Sequence, residues 1–103
     1  MLFRSPIAIS ALGLAYARSG DRVAAREVLE KILAERSRGY YPASRIALVY
    51  VGLGDKDRAF EWLQRAVEER DIFLYFIKPN PLFDPLRSDS RFTDVLRRMN
   101  LAP

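Results

Sequence analysis

The sequence predicts an all-α fold built from antiparallel helical hairpins, and three observations predict it. The chain repeats itself at an offset of 34 residues. Each copy contains a Gly-Asp pair, at Gly20-Asp21 and at Gly54-Asp55, which is typical of the turn between two helices. The segments beside each pair carry apolar residues at helical spacing. Together these features indicate short helices that each bury one face against a neighbour.

The internal repeat rests on matched residue types. Chance rarely aligns a Tyr, a Gly-Asp pair and an Ala at one offset, and an internal period of this length indicates stacked supersecondary units. Besides the two Gly-Asp pairs, the matches are Leu12 with Ile46, Tyr16 with Tyr50, Ala25 with Ala59, Leu29 with Leu63, Glu35 with Glu69 and Arg36 with Arg70.

Each unit is predicted to be two helices joined by a tight turn. The glycine of the pair can adopt the left-handed conformation that ends a helix, and the aspartate can accept backbone N–H bonds at the start of the next one. The second helix of each unit then carries an apolar stripe. The stripe residues are Ala25, Val28, Leu29 and Ile32 in the first unit, and Ala59, Phe60, Leu63, Ala66 and Val67 in the second.

These residues resemble the tetratricopeptide repeat, a helix-turn-helix unit of 34 residues. The sequence departs from the family pattern at Ile9 and Ala43, where a Trp is typical, and at Ser37 and Asp71, where a Pro often closes the unit. The resemblance is carried in the first unit by Leu12-Gly13-x-x-Tyr16, Gly20-Asp21 and Ala25-x-x-x-Leu29, and in the second by Ile46-Ala47-x-x-Tyr50, Gly54-Asp55 and Ala59-x-x-x-Leu63.

The resemblance implies a short right-handed superhelix in a single domain over residues 1–103. We expect the first repeat at about 6–39, the second at about 40–73, and a degenerate third unit with a cap at about 74–99. Gly52–Leu63 and Asp84–Met99 also resemble the ending of many bacterial proteins of this family. The chain is therefore interpreted as the C-terminal hairpins and capping tail of such a protein.

The last third is predicted to close the array, because terminal units need one polar face. Pro79 and Pro81 stop a third first helix within about two turns. Asp84 followed by Pro85 predicts the start of one short helical turn. Asp89 or Ser90 is then expected to cap a final helix whose apolar face is Phe92, Val95, Leu96 and Met99.

The beginning of the chain allows two interpretations. Residues 1–17 could be a secretory signal with Ala15-Tyr16-Ala17 as its cleavage site, or they could form the first helix of the domain. The recurrence of Tyr16 at Tyr50 favours the helix. No cap precedes it, so Ile7, Ile9 and Leu14 are expected to border a face on which a preceding repeat, or a second copy of the chain, could stack.

Composition excludes much familiar chemistry. The 103 residues contain no Cys and no His, which removes disulfides, thiolates, the usual zinc ligands and the common general base. The net charge of +4 is spread along the chain. Nucleic-acid binding through an Arg-rich surface is therefore the third and weakest alternative. No apolar run is long enough to span a bilayer. We expect a soluble cytoplasmic protein without membrane contact, cofactor or metal.

No residue cluster indicates catalysis. Asp55, Asp57 and Glu61 lie where acids stabilise a helix dipole, and the five glycines form no phosphate-binding loop. The acidic residues near the end of the fourth helix, Glu68, Glu69 and Asp71, are expected to be solvated or paired with Arg65 and Arg70. The prediction is therefore a protein that is not an enzyme.

The resemblance implies a concave groove lined by the successive first helices. Arg18 or Arg45 is expected to contact an acidic or carbonyl group of a partner peptide or helix, unless a neighbouring segment of the protein itself fills the groove. A clamp for a terminal carboxylate uses Lys and Asn where this chain has Ser10 and Leu14, so that mode is not expected. The implied groove residues are Ser10, Leu14, Ala17, Arg18, Tyr41, Ser44, Arg45, Leu48, Val51, Tyr75 and Lys78.

The function predicted from these features is a non-catalytic protein–protein interaction module in a bacterial regulatory or scaffold protein. The alternative is a homo-oligomer formed through the uncapped face of the first helix.

Overall fold

The computed structural model describes residues 6–39, 41–77 and 79–99, and these residues contain helices and turns but no β-strand. The predicted all-α fold of tetratricopeptide-repeat type is confirmed. Two 3₁₀ helices, Ile72–Phe76 and Pro81–Leu86, separate the last α-helix from the others. The described residues form five α-helices, namely α1 (Pro6–Arg18), α2 (Arg22–Arg38), α3 (Ala43–Leu53), α4 (Lys56–Glu68) and α5 (Ser90–Arg98).

The two predicted hairpins are α1 with α2 and α3 with α4, and they share one turn geometry. Gly20 and Gly54 adopt left-handed backbone conformations, with φ of 91° and 77°. Asp21 and Asp55 each accept a hydrogen bond from the backbone N–H three residues later, at 3.1 Å in both turns. The repeated sequence pair therefore builds the same helix end and helix start twice.

The hydrophobic core lies around α3, which packs against α1, α2 and α4. The predicted stripe of α2 is buried, and so is that of α4 except for the half-buried Val67. Arg22 at the start of α2 donates from Nη1 to the carbonyl oxygen of Leu53 at 2.8 Å. This bond satisfies one of the free carbonyls at the end of α3 and ties α2 to the second hairpin.

The segment after α4 differs from its prediction. The structure begins the second 3₁₀ helix at Pro81, with Asn80 as its cap through a bond from the N–H of Leu82 at 3.0 Å. The prediction that Asp84 starts this turn is wrong. Asn80-Pro81 offers the same combination of capping side chain and proline four residues earlier, and Pro85 lies inside the helix.

The final helix agrees with its prediction. Asp89 is the N-cap of α5, and the buried residues of the helix are Phe92, Val95 and Leu96. Met99 is half-buried against the same core. The cap therefore turns its apolar face toward the hairpins.

The first helix is part of the packed core. Leu14 and Ala17 of α1 are 7% and 8% exposed because they face α3. The prediction that Leu14 borders the uncapped face is therefore wrong, since Leu14 points into the domain. Ile7 and Leu12 are the large apolar residues that α1 leaves exposed, at 49% and 47%. None of the helices in the described ranges has the length and apolar character needed to cross a bilayer.

Candidate partner-binding site

Most residues of the predicted groove pack between helices. Arg18 and Tyr75 have exposed side chains, Arg45 is half-buried, and Lys78 lies outside the described residues. Tyr75 lines a separate depression together with Val67 and Arg98, so the structure does not bring it beside Arg45. The buried members of the set are Ser10, Leu14, Ala17, Tyr41, Ser44, Leu48 and Val51.

Ser10, Tyr41 and Arg45 form a polar network where α1 meets the start of α3. Arg45 donates from Nε to the Ser10 hydroxyl at 2.9 Å, and Ser10 donates to the carbonyl oxygen of Ile7 at 3.1 Å. Tyr41 also hydrogen-bonds to Ser10. Three residues that the resemblance assigned to a groove therefore hold the first hairpin to the second.

Burial shifts the pKa values of two members of this network. It raises the pKa of Tyr41 to about 12, against the smaller opposing effects of the Ser10 hydrogen bond and the Arg45 charge. It lowers the pKa of Arg45, while Tyr41 and Asp71 act in the opposite direction. No carboxylate of the described residues forms an ion pair with the Arg45 guanidinium.

Asp71 has a role that the sequence did not reveal. It is 3% exposed, and its two carboxylate oxygens accept from the N–H groups of Ser44 and Phe73, each at 2.9 Å. It therefore caps the start of α3 and the first 3₁₀ helix together. The expectation that Asp71 is solvated or paired with Arg65 or Arg70 is wrong, because both of its oxygens are committed to backbone groups.

Glu69 also pairs differently from the expectation. Its carboxylate binds Arg36 at the end of α2 through a two-pronged ion pair, and not Arg65 or Arg70. Arg36 donates in addition to the carbonyl oxygen of Tyr41 at 2.8 Å. The pairing joins residues that are far apart in sequence, which local spacing could not predict.

A cavity of about 380 Å³ lies between the start of α3 and the two 3₁₀ helices. Ser44 is one of the lining residues, and its hydroxyl is buried without a hydrogen-bond partner among the described residues. The Arg45 guanidinium carbon lies 6.0 Å from the centroid of the Phe73 ring. Among the described residues, the cavity thus combines apolar walls with the cation of Arg45, the amide of Asn80 and the unpaired hydroxyl of Ser44. Its lining residues are Ser44, Arg45, Phe73, Ile77, Asn80 and Phe83.

Phe73, Ile77, Asn80 and Phe83 line this cavity but are absent from the predicted groove. The only sequence signal for them is the apolar run beside the closely spaced Pro79 and Pro81. Such a run predicts a short buried segment but not the partner on which it folds.

A second charged cluster lies away from this cavity, where α5 meets α4. Arg91 binds Asp57 and Asp89, with the closest contact to each at 2.9 Å, and its guanidinium carbon lies 4.4 Å from the ring centroid of Phe60. The hydrogen bonds from Arg91 lower the pKa of Asp89 to about 2, and the same contacts raise the pKa of Arg91. Asp57 is expected to stabilise a helix dipole, and its ion pair with Arg91 also holds α5 against α4.

In the ranges 6–39, 41–77 and 79–99, acidic side chains do not gather into a group of three or more that could hold a metal ion.

Comparison with protein families gives a match over α3 and α4. Residues 44–71 match the family model described as Tetratricopeptide repeat. They extend from the first turn of α3 to Asp71, which precedes the first 3₁₀ helix. Searches of curated proteins and of solved structures gave no match. The match covers the second of the two hairpins.

Proposed function

Because residues 44–71 match the family model described as Tetratricopeptide repeat, we propose that the chain is a non-catalytic protein-interaction module that binds a partner peptide or helix on the face of its first helices. As part of this proposal it belongs to a cytoplasmic bacterial regulatory or scaffold protein. The resemblance of Gly52–Leu63 and Asp84–Met99 to the ends of such proteins supports that setting.

The observation that carries this proposal is Arg45 beside an apolar cavity. Arg45 is half-buried and has no ion-pair partner among the described residues. A cation of this kind suits an acidic side chain or a carbonyl group of a partner, while an apolar cavity suits an anchoring side chain next to it. Arg18 adds an exposed positive charge at the end of α1.

Selection from a displayed peptide library against the full chain tests the proposal, with calorimetry of the selected peptides as the measurement. Arg45→Gln is expected to weaken binding about tenfold, or about 1.4 kcal/mol. Arg58→Gln is the matched control, because Arg58 is an exposed residue on α4 away from the cavity. Circular dichroism checks that both variants remain folded. Selected peptides that bind Arg45→Gln as tightly as the original chain would contradict the proposal.

The exposed face of α1 supports a second candidate, self-association. Leu12 is 47% exposed, whereas its counterpart Ile46 in the second hairpin is completely buried. Ala8, Ala11 and Ala15 are exposed on the same helix and would permit a close approach of a second α1. We propose a symmetric contact between two copies of this face as the alternative function.

A further inference from the structure

We propose that the cavity between the start of α3 and the two 3₁₀ helices binds a small organic acid, namely a free monocarboxylate with a compact aromatic or branched aliphatic group. This inference uses the same cavity and the same Arg45 as the proposed function. Its occupant is a free small molecule instead of a partner protein, and the test below distinguishes the two. Its evidence comes from the size of the cavity, its walls, a buried hydroxyl and a cation.

The size and walls indicate the body of the ligand. The volume of about 380 Å³ is at the lower end of the range for small-molecule sites, which is roughly 300–1,000 Å³. Phe73, Ile77 and Phe83 supply two aromatic rings and one branched aliphatic chain to the lining. A ring or a branched chain of similar size would replace water against these walls.

The Ser44 hydroxyl indicates a hydrogen-bonding group on the ligand. Ser44 is 3% exposed, and its backbone N–H is already bonded to Asp71 at 2.9 Å. Its hydroxyl is buried without a partner among the described residues, although buried polar groups are normally paired. A ligand oxygen that accepts from Ser44 would remove this deficit. Asn80 adds an amide to the same lining.

Arg45 indicates that the polar group of the ligand is negative. It lies in the cavity wall, with its guanidinium carbon 6.0 Å from the Phe73 ring. The nearby Asp71 carboxylate directs its oxygens to the N–H groups of Ser44 and Phe73. Arg45 donates from Nε to Ser10 at 2.9 Å and from Nη2 to the carbonyl oxygen of Ile7 at 3.4 Å, but it forms no ion pair with a described carboxylate. A ligand carboxylate could therefore take that place.

The test titrates 3-phenylpropionate into the isotopically labelled full chain, followed by two-dimensional NMR. We expect saturable shifts centred on the amides of Ser44, Phe73 and Ile77, with a dissociation constant of about 1 mM or tighter for a ligand of this size. The neutral analogue 3-phenylpropanamide is expected to bind about tenfold more weakly, because it lacks the charge.

Substitutions distinguish an effect of the Arg45 charge on binding from an effect on the fold. Arg45→Gln is expected to weaken binding of the acid about tenfold and to leave binding of the amide unchanged, so that the two ligands bind with similar affinity. A purely structural role of Arg45 would weaken both equally. Ser44→Ala is expected to weaken binding of the acid about three- to tenfold, which corresponds to one lost hydrogen bond. Arg58→Gln and Ser88→Ala, both at exposed positions, are the matched controls and should bind as the original chain does.

Three results would overturn the inference. The first is no saturable shift at these residues. The second is equal binding of acid and amide to the original chain. The third is binding of an acetylated peptide that ends in Phe while the free acid does not bind, which would assign the cavity to a partner protein. If only the acid does not bind, the proposed interaction function is not contradicted, because the displayed peptides test that function separately.

Discussion

Arg70 occupies a position that glycine holds in the two earlier turns. It is the non-glycine residue with positive φ in the described chain, at 55°. Its N–H donates to Val67 and that of Asp71 to Ala66, at 3.2 and 3.0 Å. The turns after α1 and α3 have the same pair of bonds. The chain therefore accepts a strained backbone here to bring Asp71 to its capping position.

Arg70→Gly is expected to stabilise the domain by about 0.5–1 kcal/mol. Release from the left-handed conformation recovers about 1–2 kcal/mol, and the greater freedom of glycine in the unfolded chain offsets part of this gain. Thermal denaturation followed by circular dichroism measures the change. Arg26→Gly is the control, because glycine at an exposed position inside α2 should lower the free energy of unfolding by about 1 kcal/mol. A loss of stability in both variants would show that Arg70 is not strained.

The sequence predicted the local bonds of single residues but not the distant ones. The caps at Asp21, Asp55 and Asp89 follow from residue types a few positions apart. The bond from Ser44 N–H to Asp71 and the ion pair of Arg36 with Glu69 join residues 27 and 33 positions apart. These depend on how the hairpins dock, and periodicity contains no information about that geometry.

At the scale of helices, the contact between α1 and α3 depends on small residues. A Cβ atom at Gly52 would lie 2.7 Å from Leu14 Cδ1 and 3.1 Å from Ala17 Cβ. Both distances are shorter than ordinary contact, so the helices approach closely only because Gly52 has no side chain. This contact also explains why Leu14 and Ala17, two of the predicted groove residues, are buried.

Gly52→Val is expected to destabilise the domain by about 1–3 kcal/mol through overpacking of this contact. Urea denaturation measures the difference in the free energy of unfolding. Gly39→Val is the matched control, since Gly39 has an extended backbone and open space around its Cβ position. It should change stability by less than about 0.5 kcal/mol. Equal effects at the two glycines would contradict the close approach.

The helices of the domain were predictable to different degrees. The stripe of α2 was evident because its other face is charged. In α3 nearly every residue is buried, so its sequence has no polar face to distinguish the core side from an open groove. The family resemblance assigned groove positions to α3, and their burial depends on the neighbouring elements. The 3₁₀ helices, which line the cavity, have too few residues to show a period.

At the scale of the whole molecule, the two ends of the stack differ. At one end α5 covers α4 and is held by the ion pair of Arg91 with Asp57. At the other end the outer face of α1 presents Ile7 and Leu12 to solvent. A second copy that covered this face would remove apolar surface from water at the uncovered end only.

If self-association occurs through α1, the full chain is expected to show a mass that rises with concentration in analytical ultracentrifugation. Leu12→Glu is expected to weaken this association at least about tenfold, because the carboxylate would be buried without a partner. Ile72→Glu is the control, since Ile72 is 68% exposed on the first 3₁₀ helix and should not affect the dimer. A constant monomer mass across concentrations would rule out this contact.

Trp62 is the single tryptophan of the chain, and two guanidinium groups lie against its ring. The guanidinium carbon of Arg65 is 4.5 Å and that of Arg36 is 5.0 Å from the ring centroid. Arg65 belongs to the same helix, but Arg36 comes from the first hairpin. The intrinsic fluorescence of this one indole is therefore a built-in optical reporter of whether the two hairpins are docked, separate from any signal of total helix content.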